Sequence, residues 1–152
     1  MIKIYDNALP DVICKGLIDV FEKNTEHHEF IDYNSCPCFT QLNLNNFYPN
    51  TVPPLIPYLA ELYKKYKKDI KSKYIPPLKD IEKFRIKRYN TSGDERFDED
   101  GNTLFPLHNL NIKPISGRVL VFPPTWEYPH SGLPPKTDSK YIMSTYIHYG
   151  EN

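Results

Sequence analysis

The chain has 152 residues, a length that one hydrophobic core can organise, so a single domain spanning 1–152 is expected. Nineteen basic and nineteen acidic side chains cancel, which excludes the one-sign field that steers a protein to nucleic acid or to an anionic membrane surface. Fifteen prolines, twelve tyrosines and eight phenylalanines against six glycines describe a β-rich domain with stiff loops and enough aromatic side chains for a core.

The opening stretch, MIKIYDNALPDVICKGL, has no unbroken apolar run after its first basic residue. No later segment approaches the roughly 20 apolar residues of a membrane span, so a soluble, cytoplasmic protein is expected. Cys14, Cys36 and Cys38 are an odd number of cysteines and are expected to be reduced thiols. Cys36 and Cys38 flank Pro37 as one pair, short of the second pair that a structural zinc site needs.

From Asp11 to Lys23 the apolar residues Ile13, Leu17, Ile18 and Phe21 recur at helical spacing after Pro10, which predicts an amphipathic helix. Residues 24–52 hold no sustained period and read as loop with one short strand around Phe39–Leu44. Leu55, Leu59, Leu62 and Tyr66 predict a second helix that opens at Pro53–Pro54 and ends near Ile70. Past Pro76–Pro77 the pattern alternates: Glu82, Phe84 and Ile86 point one way, Lys83, Arg85 and Lys87 the other, giving a strand that leads to Tyr89. Residues 90–103 are polar, contain Gly93 and Gly101, and read as turn. Three further strands are expected at Ile112–Ile115, Val119–Phe122 and Tyr141–Ile147, separated by Ser116–Gly117 and a proline-rich run from Pro123 to Pro135. Helices first and strands afterwards predict an α+β fold, with the helices packed on one sheet of a sandwich or jelly roll.

The final third, KPISGRVLVFPPTWEYPHSGLPPKTDSKYIMSTYIHY, resembles the C-terminal half of the prolyl-4-hydroxylase-like iron(II)/2-oxoglutarate dioxygenases. The resemblance rests on Lys113–Pro114, Gly117–Arg118, the strand ending at Phe122, His130, and Lys140 before Tyr141. IYDNALPDVICKGLIDVFE and FRIKRY are similar to the family's opening helix and to the strand before its metal site. The likeness implies a double-stranded β-helix, Fe(II) and 2-oxoglutarate as cofactors with ascorbate for reactivation, and a peptide or small-molecule substrate. It also implies roles. His130 would be the distal metal ligand, Lys140 the cation that pairs with the far carboxylate of 2-oxoglutarate, and Tyr89 a hydroxyl assisting that contact. His130 and Lys140 are then expected to face one interior cavity.

The family's His-x-Asp pair and the strands around it are missing, because RFDED runs straight into GNTLFP. The Glu99–Asp100 junction is where that block belongs, and the jelly roll is expected to lack core strands there. Asp98, Glu99 and Asp100 are the only acids near the gap. Single residues also have ordinary readings: Trp126 as a loop anchor, and His27, His28, His108 and His148 as structural or surface side chains without an acidic partner at ligand spacing. Two functions remain open: an Fe(II)/2-oxoglutarate hydroxylase, or a catalytically inactive binding or remnant domain that keeps the fold's pocket.

Overall fold

The computed structural model describes residues 1–32, 38–71, 75–91 and 100–150. It is a mixed helix-and-sheet structure in which every strand pairing is antiparallel. No helix among these residues is long and apolar enough to cross a membrane.

The first helix, α1, spans Asp11–Lys23 as its spacing predicts. It follows β1 (Lys3–Tyr5) and precedes β2 (Glu29–Ile31). The expected strand around 39–44 is β3, Phe39–Asn43. It stops there because the Asn43 side chain accepts a hydrogen bond from the Asn46 N–H at 3.2 Å, capping the short helix α2, Leu44–Phe47. Pro53–Leu55 form a 3₁₀ turn that delivers the chain into α3, Ile56–Asp69, with Ile70 as its C-cap. Next come β4 (Leu78–Ile81) and β5 (Arg85–Tyr89). They are followed by β6 (Thr103–Phe105), β7 (Leu110–Ile112), β8 (Val119–Val121), β9 (Ser131–Gly132), β10 (Lys140–Ser144) and β11 (Ile147–Tyr149).

Three strand boundaries differ from the sequence reading, each because backbone groups are claimed elsewhere. The strand expected from Glu82 starts only at Arg85, since Phe84 gives its N–H to the Asn45 side chain and its carbonyl to the Leu44 N–H. The strand expected at Ile112–Ile115 ends at Ile112; Pro114 has no N–H to offer a ladder, and Ile115 accepts from the Arg118 N–H in a turn. The single strand expected at Tyr141–Ile147 is two. The Thr145 hydroxyl donates to the Glu82 carbonyl and the Tyr146 carbonyl accepts from the Glu82 N–H, so the chain leaves one sheet there and enters another.

The principal sheet has the order β10-β5-β3-β2. One face packs on α1 and α3, burying Phe21, Leu42, Leu44, Leu55, Phe84 and Ile86, each 3% exposed or less. Fully burying a side chain of this size contributes roughly 1.5–3 kcal/mol. The smaller sheets are β7-β6-β9, β1-β8 and β11-β4. Val119 and Val121 are half-buried in β8, whose ladder partner is β1.

That β1–β8 pair is fastened by the Ser-Gly-Arg turn. Gly117 sits at φ +74° and accepts from the Ala8 and Leu9 N–H groups; an added Cβ would lie 2.4 Å from the Leu9 carbonyl oxygen. Arg118 clasps Asp6 through two N–H donors at 2.5 and 3.0 Å, and the Ser116 hydroxyl donates to Asp11 at the start of α1. The Ser116–Arg118 turn thus ties the amino-terminal strand and helix to the carboxy-terminal half of the fold.

Candidate functional site

On the face of the principal sheet turned away from α1, the side chains of β10 and β5 set the chemistry. Lys140 lies opposite Tyr89 in the ladder, so both project to this face. The Lys140 ammonium stands 4.7 Å from the centre of the Tyr89 ring, a cation–π contact. Lys140 is only 5% exposed, the single buried charged side chain among the described residues. Its Nζ donates to the carbonyls of Gly101 at 2.6 Å and Leu133 at 3.1 Å. No carboxylate of the described residues pairs with it, and burial alone pushes its pKa from an ordinary 10.5 down to about 8.

Two glycines make room for this cation. Gly101 adopts φ +72°, which turns its carbonyl to the ammonium; an added Cβ would sit 3.3 Å from the Lys140 stem and 3.4 Å from Pro135. At Gly132 an added Cβ would lie 3.2 Å from Nζ and 3.6 Å from the Tyr89 hydroxyl. Neither glycine stands out in the sequence as part of a lysine pocket. The Gly101-Asn102-Thr103 run and the SGLPP run are the only signals that could have pointed to it.

His130 is exposed and immediately precedes β9. Thr103 pairs with Gly132 and Leu104 with Ser131, which sets His130 beside Phe105; the two rings stack at 5.4 Å. Phe122 meets the imidazole edge-on at 4.8 Å. Alternation along the strand puts His130 on the same side as Gly132, the side against which the Lys140 ammonium rests. Its Nδ1 lies 3.2 Å from the Tyr128 carbonyl, which can only accept. Nδ1 is therefore the donor in that contact, which leaves Nε2 as the ring nitrogen not used by the backbone.

The remaining candidates are placed elsewhere. Asp98 and Glu99, and with them the Glu99–Asp100 junction, lie outside the described residues. Asp100 accepts from the Lys136 N–H at 2.5 Å and the Thr137 hydroxyl at 3.1 Å, bonds that hold its carboxyl below the usual range and commit it to that turn. His27 stacks on Phe47, His28 on Phe21 and His108 on Tyr128. His148 does meet an acid, Glu82, at 2.8 Å across two strands. Trp126 is 86% exposed and anchors nothing, because the loop is held instead by its neighbours: the Glu127 carbonyl bonds His108 and the Tyr128 ring stacks on it. Cys14 and Cys38 are free thiols, and Cys36 lies outside the described residues.

The chain shares its fold with a viral collagen prolyl hydroxylase. The 2-oxoglutarate complex of that enzyme from Paramecium Bursaria Chlorella virus-1 matches with a TM-score of 0.65 at 20% identity, over 96% of this chain and 94% of the enzyme's. A truncated form of the same enzyme matches with a TM-score of 0.59 at 18% identity, over 99% of this chain and 90% of that one. No protein-family model matches, and no curated protein matches by sequence.

The described residues fit the two implied cofactors unequally. A buried ammonium lacking a counter-charge, with an aromatic hydroxyl close by, suits one carboxylate of 2-oxoglutarate. For iron, no group of three His, Cys, Asp or Glu side chains among the described residues is placed to hold a metal ion. His130 offers one donor, so these residues alone do not make an iron site.

Proposed function

We propose that the protein is a 2-oxoglutarate-dependent dioxygenase of the prolyl-4-hydroxylase type, a single jelly-roll domain acting on a peptide or small-molecule substrate. In this reading Lys140 receives the far carboxylate of 2-oxoglutarate, Tyr89 flanks it, and His130 is one ligand of Fe(II); all five histidines lie among the described residues, so further ligands from outside them would be carboxylates or thiols such as Asp98, Glu99 or Cys36. The observation that carries the reading is the buried Lys140 ammonium, held by two carbonyls and paired with no carboxylate of the described residues. A buried charge is costly unless it is paired, and a ligand carboxylate would supply the missing partner. The fold shared with the viral collagen prolyl hydroxylase in its 2-oxoglutarate complex supports the choice of ligand.

A second reading, a 2-oxoglutarate-binding domain without catalysis, is favoured by Asp100, whose carboxylate is spent on the Lys136–Thr137 turn. Calorimetric titration of 2-oxoglutarate into the protein and its Lys140→Met variant, paired with an assay for succinate in the presence of Fe(II) and oxygen, separates the two. Binding that weakens at least tenfold in the variant, with succinate formed by the wild type, is the expected result. Binding without succinate would select the second reading. Equal binding by both proteins would sink the assignment of Lys140.

A further inference from the structure

Lys140 is not alone on its sheet face. Lys87 precedes Tyr89 by two residues, so both point to the same side of β5. The contacts form an unbroken row: the Lys140 ammonium over the Tyr89 ring at 4.7 Å, the Tyr89 ring against Phe39 at 5.3 Å, and the Lys87 ammonium 5.0 Å from the centre of the Phe39 ring. In the ladder Lys140 faces Tyr89, which makes Lys87 its diagonal neighbour, at roughly 7–8 Å.

Lys87 is half-buried, and it too has no carboxylate partner among the described residues. Burial is the main cause holding its pKa below the ordinary range, with the nearby Arg85 charge adding to it. The nearby acids of the described strands are engaged elsewhere. Glu29 shares the face two strands away and accepts from the Gln41 amide at 2.8 Å, while Glu82 pairs with Arg85 and His148. Two partly dehydrated ammonium groups with an aromatic pair between them thus share one sheet face. Each ammonium bears its own dehydration cost, which a carboxylate placed against it would offset.

We propose that Lys87 is a second carboxylate-binding residue on this sheet face, so that the face takes a short dicarboxylate through its own two ammonium groups, one at each end, without a metal to bridge them. The inference rests on the reading of Lys140 as a carboxylate receiver and extends it. The aromatic pair lies under the ligand's methylene chain, and the ammoniums select for charge at both ends.

Titration calorimetry in EDTA at neutral pH, using glutarate and pentanoate as probes of equal chain length, tests this directly. The wild type should bind glutarate at least tenfold more tightly than pentanoate. Lys87→Met should shrink that preference to less than threefold, and Lys87→Arg should restore it. Lys140→Met should weaken both ligands. A glutarate preference that survives in Lys87→Met would overturn the inference and leave Lys140 in place. Ligand binding indifferent to Lys140→Met would instead remove the underlying reading. The wild-type comparison stands without any variant: equal affinities for the two acids would also overturn the inference.

Discussion

The two faces of the principal sheet are made by the same strands and are chemically opposite. Toward α1 and α3 the alternate residues of β3 and β5 are Leu42 and Ile86, closed under Phe21 and Phe84. On the other side the intervening positions carry Phe39, Lys87, Tyr89 and Lys140, with two ammonium groups laid against aromatic rings. A side-chain period of two lets one ladder build stability on one side and a row of cations and aromatic rings on the other. The contrast explains why a buried lysine is tolerated here: the helix-backed face supplies burial energy that offsets the cost of Lys140.

The largest effect should come from the apolar face. Phe21→Ala empties the centre of the core and should cost about 3–5 kcal/mol of unfolding free energy in urea titrations, with Lys140 chemistry untouched in whatever fraction stays folded. A loss under about 1 kcal/mol would mean that α1 does not close this face.

Second in size is the pH dependence of the cationic face. The folded-state pKa of Lys140 is about 8 against an ordinary 10.5, so burial of the charged form opposes folding below pH 8. That penalty fades as pH rises from about 8 to 10.5, because there the unfolded chain holds the proton and the folded one does not. The stability of the wild type relative to Lys140→Met should therefore rise over this window, by on the order of 3 kcal/mol at most. A difference independent of pH would show that the ammonium is better solvated than its 5% exposure implies.

Smaller again is the clasp between the two halves of the chain. Gly117→Ala places a side chain at φ +74° against the Leu9 carbonyl and should cost roughly 1–3 kcal/mol in thermal or urea unfolding. An unchanged stability would show that the β1–β8 pair is dispensable. Trp126→Ala should change stability by less than about 0.5 kcal/mol, since the side chain is 86% exposed. A larger loss would reinstate it as the loop's anchor.

The sequence shows these regions unequally. Helices α1 and α3 and strand β5 are visible because an amphipathic face repeats over many residues. Strands β1, β2, β4 and β9 hold two to four residues each, too few for a period to emerge, and the partners of all but β2 are distant in the chain. The break at Thr145–Tyr146 depends on Glu82 backbone contacts 63 or more residues away. At the candidate site, Lys140, Tyr89 and His130 stand out only through family likeness, since a lysine at a strand start is ordinarily solvated. What makes Lys140 unusual is its burial beneath Gly101 and Leu133, and that follows from tertiary packing. Lys87 reads as one of a row of alternating cations until the ladder shows which of them shares a face with Tyr89.

The central claim, that Lys140 receives a ligand carboxylate, is tested most directly by following the lysine side-chain resonance of Lys140 in an NMR pH titration with and without 2-oxoglutarate. Alone, the ammonium should lose its proton near pH 8. With saturating 2-oxoglutarate a carboxylate against it should move that midpoint upward by at least one unit, the equivalent of about 1.4 kcal/mol of preferential binding to the charged form. A midpoint that stays where it was while 2-oxoglutarate is demonstrably bound would contradict the account.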